Sequence, residues 1–465
     1  MNRFLLLIMM FMFAYVASQA KNSKQANIII VFTDDQGYQD LGCFGSPKIK
    51  TPNIDQMAKE GVKLTDFYVA ASVCSASRSS LLTGRNPDKH GIGGAIFPGV
   101  KGLDTKEVTI AEVLKDVGYA TACFGKWHIG DMNDSELPTG QGFDEYYGIP
   151  YSNDMYIGAH HEFHENVIFN QNYTLQKAQK DQSKGIRNLV PIFEGTKIIE
   201  YPAEQSSLTK RYFDRTISFI EKQKDKPFFI YVTPAMPHVP LFASKDFKGK
   251  STRGLYGDVI EEIDWNMGRL LDHLKKNKLD DNTIVIFTSD NGPWKKYGEH
   301  AGSALPLKGG KFQAFEGGVR EPCVMRFPKK WKKGSVTSEV ISTIDLLPTL
   351  AYYAKATIPV GLDLDGKNVA KALEDPKTHL EKDYHYYYPK SKPNAPKAIG
   401  VRYGDWKYLE LGKAKLLYNL KENIAESKNL INKHPEIAKT LKDAIEKRKL
   451  HVAKLDQNSR GGRDK

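Results

Sequence analysis

Cys74 and Arg78 stand four residues apart in the run Val-Cys-Ser-Ala-Ser-Arg-Ser-Ser-Leu-Leu-Thr-Gly-Arg, residues 73–85. On a helix that begins near Cys74, this spacing stacks both side chains on one face. Leu81 and Leu82 then anchor the next turn in a core, and Gly84 ends the helix. A sulfur at a helix N-terminus, with a guanidinium one turn away, is an electropositive niche that draws a tetrahedral oxyanion. A lone cysteine without such context is more often a small buried hydrophobe.

Other reactive residues each follow an apolar run of strand type. Asn27–Thr33 reads as a buried parallel strand, and Asp34 and Asp35 leave its carboxyl end. Tyr119–Phe124 leads to Lys126 and His128, which alternate by two and share a face in an extended chain. Pro227–Thr233 leads to His238, in a short loop fixed by Pro234, Pro237 and Pro240. Asn282–Ser289 leads to Asp290 and Asn291. A parallel α/β sheet gathers such strand ends on one edge, where ligands bind. Clustered carboxylates repel unless a cation or hydrogen bonds hold them. Three carboxylates and an amide form a hard oxygen shell that suits Ca2+ or Mg2+ and not zinc.

Cys-x-Ala-x-Arg followed by Leu-Leu-Thr-Gly-Arg resembles the signature of the type I sulfatases, with Ala76 where the commonest family form has Pro. Four further phrases carry the resemblance from Asn27 to about Leu430. They are Gly-Ile-Pro-Tyr-Ser, Ile-Phe-Thr-Ser-Asp-Asn-Gly-Pro, Phe-Glu-Gly-Gly-Val-Arg-Glu-Pro and Asp-Leu-Leu-Pro-Thr-Leu. They look like the arylsulfatase A and N-acetylgalactosamine-6-sulfatase branch. The resemblance implies an α/β, alkaline-phosphatase-like sandwich. Its large mixed, mostly parallel sheet is flanked by helices, and a smaller C-terminal antiparallel sheet carries a helix. It also implies that a maturation enzyme oxidises Cys74 to formylglycine, whose hydrate is the nucleophile. Carried over by position, one Ca2+ ion would be held by Asp34, Asp35, Asp290, Asn291 and an oxygen of the modified Cys74. Arg78 would orient the hydrate, and Lys126 and Lys311 would bind sulfate oxygens. His128 and His238 would handle protons, and Ser152 matches a family position near the sulfate. Lys311 is preferred to Lys308 because the family lysine lies five residues before the Glu of Glu-Gly-Gly, here Glu316.

The length of 465 residues allows more than one domain. A polar stretch from about Pro359 to Lys377 divides a catalytic domain, 21–375, from a C-terminal subdomain, 376–465. Hydrophobic residues make up 40% and charged residues 26%, as in soluble globular proteins. The net charge is +12, yet no basic repeat or nucleic-acid motif accompanies it. The charge suits an anionic substrate or matrix, and equally a surface of solvated lysines. The resemblance implies a sulfated carbohydrate as the partner, and not nucleic acid. Arg3, the apolar run Phe4–Val16 and Ser18-Gln19-Ala20 read as a secretory signal over residues 1–20. The run is shorter than the roughly 20 residues of a membrane span. A secreted or periplasmic protein without stable membrane insertion is expected. Cys43, Cys74, Cys123 and Cys323 are too sparse for a disulfide framework.

Helices are predicted at Thr51–Gly61, Thr109–Gly118, Leu208–Lys222 and Gly257–Leu274, from Ile344, and at Ile437–Leu455. Lys63–Val69 reads as a strand, and short antiparallel strands follow His385. Residues 140–205 read as a loop or short hairpin insertion that helps choose the substrate. His160, His161 and His164 fall there, and the His-Glu-Phe-His spacing invites zinc. The third ligand and the usual helix pattern are missing from the sequence. The expected reaction is hydrolysis of sulfate esters on an algal polysaccharide or a glycosaminoglycan. The alternatives are a phosphomonoester or phosphonate monoester hydrolase of the same superfamily, and a non-catalytic binder of sulfated polysaccharide.

Overall fold

Asn27–Thr33 forms a strand buried along its whole length. Ile28, Ile30 and Phe32 enter one core, while Ile29 and Val31 enter another on the opposite face. In this computed structural model, which describes residues 25–391 and 396–461, that strand lies near the middle of an eleven-stranded sheet. The secretory signal read at residues 1–20 lies outside the described residues. Across the sheet the strands run Ser335–Thr337, Val62–Leu64, Cys323–Arg326, Thr283–Ser289, Asn27–Thr33, Phe228–Thr233, Ala120–Gly125, Glu145–Gly148, Ile192–Glu194, Lys197–Tyr201 and Ile168–Phe169. From Thr283–Ser289 to Glu145–Gly148 every pairing is parallel. Cys323–Arg326 and Ile192–Glu194 join this block antiparallel. The mixed, mostly parallel sheet expected of the fold is therefore present.

Helices cover both faces. Cys74–Thr83 and Leu346–Ala354 bring Leu81, Leu82, Leu347 and Leu350 to one core. Pro52–Glu60, Leu208–Gln223 and Leu255–Lys276 bring Met57, Phe213, Ile260 and Met267 to the other. Ile110–Lys115 is shorter than the helix expected at Thr109–Gly118; Thr109 caps it in a reciprocal pair with Glu112. The strands Tyr384–Tyr387, Gly400–Tyr403, Trp406–Leu411 and Ala414–Asn419 form a separate antiparallel sheet. The helix Pro435–Gly461 packs Ala438, Leu441 and Ile445 against Val401, Tyr408 and Leu417 of that sheet. Arg448 fastens this helix to Asp88 and Asp365, both at 2.5 Å. Among the described residues no helix is long and apolar enough to cross a membrane.

Two expectations are corrected. The single strand at Lys63–Val69 is divided: Val62–Leu64 joins the main sheet and Phe67–Tyr68 pairs with Ile341–Ser342. At the break Asp66 takes ion pairs from Arg320 and Arg402, which an unbroken ladder would not accommodate. Residues 140–205 are more regular than a loop or hairpin. Four of the eleven strands and the helix Leu175–Lys184 come from this segment. Strands of two to five residues carry too few side chains for a period of two to stand out.

Candidate active site

Cys74 is the first residue of its helix, and Gly84 closes that helix at φ 66°, a left-handed conformation natural to glycine. Every residue from Cys74 to Thr83 is buried. Arg78, one turn on, lies 2.7 Å from Asp290 Oδ2 and 3.9 Å from Asp34 Oδ2, and also donates to the Lys126 carbonyl at 3.2 Å. Burial pushes the Cys74 thiol up, and the charges acting on it belong to Lys126, Lys311, Asp34 and Asp290. A buried thiol held protonated is a poor nucleophile at neutral pH.

The strand ends meet at this helix. Lys126 pairs with Asp34 Oδ2, and Lys311 Nζ sits 2.7 Å from Asp35 Oδ1. Asn291 Nδ2 donates to Asp35 Oδ1 at 2.7 Å, and the Asp35 amide donates to Asp290 Oδ1 at 3.2 Å. His238 Nε2 is 3.6 Å from Asp35 Oδ2. Ser152 Oγ lies 3.4 Å from both Lys126 Nζ and His238 Nδ1. A Cβ on Gly148 would fall 1.8 Å from the Gly125 carbonyl oxygen, so only glycine lets the Ser152 loop close onto the Lys126 strand. Asp35 and His128 hold φ of 62° and 65°, a conformation that non-glycine residues keep mainly where function demands it.

Each carboxylate has a cation beside it, Asp34 with Lys126, Asp35 with Lys311 and Asp290 with Arg78, yet the pairing does not satisfy every oxygen. Burial alone would raise the Asp34 carboxyl, yet Lys126, His238, Arg78 and Lys311 hold it well below the carboxylate range. Burial pushes Asp35 up to about 7; Lys311 opposes this, while Asp34 and Asp290 reinforce it. Asp290 is likewise raised by burial and by Asp34. Asp34 Oδ1 and Asn291 Oδ1 are buried acceptors without a hydrogen-bond partner among the described residues. Two orphaned oxygens and two carboxylates held above their ordinary range are donors suited to a hard cation. The donor set fits such an ion.

His128 Nε2 faces the Ile96 carbonyl at 2.9 Å, which leaves a lone pair on Nδ1, a buried atom with no hydrogen-bond partner among the described residues. Burial and Lys126 keep this imidazole neutral. His238 donates from Nδ1 to the Val239 carbonyl at 2.6 Å and contacts Asn153 Oδ1 at 3.1 Å. Burial and Lys311 lower its pKa to about 3. Its Nε2 is thus directed at Asp35.

The family profile described as Sulfatase matches residues 26–356. The chain belongs to the sulfatase family. This sulfatase is a sulfuric ester hydrolase close to the arylsulfatase A branch. A second profile, N-sulphoglucosamine sulphohydrolase, C-terminal, matches residues 310–451. Human arylsulfatase A is 37% identical over 397 residues, covering 83% of this chain and 75% of that one. The crystal structure of i-CgsB in complex with k-i-k-neocarrahexaose superposes with a TM-score of 0.77 at 31% identity, over 91% of this chain and 92% of the other. The PsFucS1 sulfatase from Pseudoalteromonas sp. gives 0.77 at 26% identity, over 95% and 92%.

In this sulfatase Asp34, Asp35, Cys74, Arg78, Lys126, Ser152, His238, Asp290, Asn291 and Lys311 form one contiguous cluster. His128 faces the same charges, Lys126, Asp34 and Arg78. The sequence reading missed Asn153, which steadies the His238 ring and is held in turn by Gln205 and the Pro240 carbonyl. Only its place beside Ser152 could have pointed to it.

Proposed function

We propose that this sulfatase is an exported enzyme that cleaves sulfate esters of a sulfated glycan through a formylglycine hydrate made from Cys74. The observation that carries the reading is the convergence of three carboxylates, Asn291 and three cations on one buried cysteine that is unsuited to act as a thiolate. Because residues 74–83 are buried, the maturation enzyme must meet them before folding is complete. A Ca2+ ion held by Asp34, Asp35, Asp290, Asn291 and the modified Cys74 would supply charge neutralisation at the sulfate oxygens.

The chain's own residues divide the remaining work. Lys126, Lys311 and Ser152 bind the sulfate, and Arg78 orients the hydrate and offsets charge that grows in the transition state. Asp290 takes the proton of the hydroxyl that attacks sulfur. The bond from sulfur to the alcohol breaks, and His238 with Lys311 supplies the proton to the leaving oxygen. An anionic substrate beside His238 favours its protonated form and so opposes the lowering by burial and Lys311. His128, through the lone pair on Nδ1, accepts the proton of the second hydroxyl, so that sulfate leaves and the aldehyde returns. A serine or cysteine lacks that second hydroxyl and would not be regenerated.

A glycan substrate is supported by the net charge of +12 and by the carrageenan-type oligosaccharide bound to one relative. Export follows from the secretory signal read at residues 1–20. The test is hydrolysis of an aryl sulfate and of the matching aryl phosphate. Sulfate release should dominate and vanish in Cys74→Ala; substantial activity of that variant would defeat the assignment. Sulfate release from carrageenan and glycosaminoglycan oligosaccharides would then identify the sugar.

A further inference from the structure

The histidines of the 140–205 segment meet a third group that the sequence does not reveal. Asp131, three residues beyond His128, is buried and points one carboxylate oxygen at both His160 and His161. His161 Nε2 lies 2.8 Å from Asp131 Oδ2, and His160 Nε2 lies 3.1 Å from the same oxygen. His160 Nε2 also reaches the Asp131 carbonyl at 2.8 Å. The three candidate ligand atoms all fall within 4.8 Å of one another. His164, the other half of the His-Glu-Phe-His spacing, is exposed and takes no part in this group.

We propose that Asp131, His160 and His161 form a second metal site, for a transition ion of the zinc class, distinct from the sulfate site. Two imidazole nitrogens and one carboxylate oxygen are a borderline donor set, which the all-oxygen cluster around Asp34 is not. Tetrahedral zinc with bonds of about 2.0–2.1 Å separates its ligand atoms by about 3.3 Å. The observed separations of 2.8 and 3.1 Å need only a few tenths of an ångström to open as the two Nε2 protons leave.

The surroundings are those of a built site. Gly99 N donates to Asp131 Oδ1 at 3.4 Å and Tyr151 hydrogen-bonds the same carboxylate, while Oδ2 faces both histidines. Gln182, from the helix Leu175–Lys184, donates to the carbonyls of Gly158 at 2.8 Å and His161 at 2.7 Å, which pins the histidine loop. The His161 ring is wedged between Phe193, at 4.9 Å, and Tyr151, at 6.2 Å. Such outer contacts orient ligands before an ion arrives. The His160 side chain is 24% exposed, so solvent reaches the group and a fourth position stays open to water. The ion would staple residues 158–161 to the loop that follows His128.

The test uses the full mature protein, stripped of transition ions and then saturated with Ca2+ to occupy the oxygen cluster. Calorimetric titration with Zn2+ should show one site per chain. His161→Ala and the near-isosteric Asp131→Asn should each weaken it at least about tenfold. His160→Gln, at a partly exposed position that tolerates exchange, should do the same if the loop folds normally. Co2+ in place of Zn2+ should give the intense visible bands of a nitrogen-ligated tetrahedral site, absent in the three variants. No saturable Zn2+ uptake, uptake that all three variants retain, or a weak oxygen-type Co2+ spectrum would overturn the proposal.

Discussion

Around Glu316 the chain buries two carboxylates, Glu316 and Glu426, among Tyr68, Tyr387, Arg320 and Lys407; around Cys74 it buries three among Arg78, Lys126 and Lys311. Glu316 Oε1 accepts from Tyr387 at 2.8 Å and from Lys407 at 2.9 Å, while Oε2 accepts from Tyr68 and faces Arg320 at 3.5 Å. Burial alone would raise its pKa, yet Lys407, Arg320 and Arg402 hold it well below the usual range. In the other cluster Asp35 is pushed up to about 7, Asp290 is raised, and two oxygens stay unpartnered. The ingredients are alike, but the use of the lone pairs differs. A satisfied network holds structure, and an unsatisfied one waits for a ligand.

The two are also linked. Glu316 follows Lys311 by five residues, while Lys407 and Tyr387 belong to the C-terminal sheet. That sheet therefore props the loop that presents Lys311 to Asp35. The comparison breaks if Lys407→Met, which strands Glu316 and Glu426, is tolerated. Removing one partner of a buried pair costs about 3–5 kcal/mol. Chemical denaturation should show that loss, with the kcat of the remaining folded enzyme changed by less than about tenfold.

The reverse pattern is expected at the other cluster. Asp35→Asn should lower kcat by about 10²–10³, the scale of a lost transition-state stabiliser. Asn keeps the shape of Asp35 and an oxygen for Lys311 while it removes the repulsion from Asp34 and Asp290, so the cation-free variant should melt close to the cation-free wild type. A fall in melting temperature with activity intact would reverse the roles assigned to the two regions.

A smaller effect concerns pH. The Glu316 pKa is depressed on folding, so its contribution is complete above its unfolded value, 4.5, and is lost as pH falls below that. The gap in melting temperature between wild type and Lys407→Met should therefore narrow as pH falls below about 4.5. A gap that widens in acid would contradict the sign.

What was legible in the sequence was legible for a physical reason. Asn27–Thr33 and Thr283–Ser289 are seven-residue apolar strands buried on both faces, and reactive residues stand directly at their ends. The edge at which Asp34, Lys126, His238 and Asp290 meet then follows from parallel topology. The break at Asp66 did not show, because it depends on Arg320 and Arg402 from distant elements. Asn153 was hidden because its role lies in contacts with His238 and Gln205, and neither is near it in the chain. The pairing of His160 and His161 with Asp131 was hidden likewise, by a turn that no local pattern announces.

The central claim is that Cys74 reaches the folded enzyme as an aldehyde. Mass spectrometry of the peptide spanning residues 72–78, from protein made in the presence of a formylglycine-generating enzyme and active on an aryl sulfate, tests it directly. The account predicts a peptide lighter than the encoded sequence, carrying formylglycine as the free aldehyde at position 74. An unmodified cysteine there in fully active protein would contradict it.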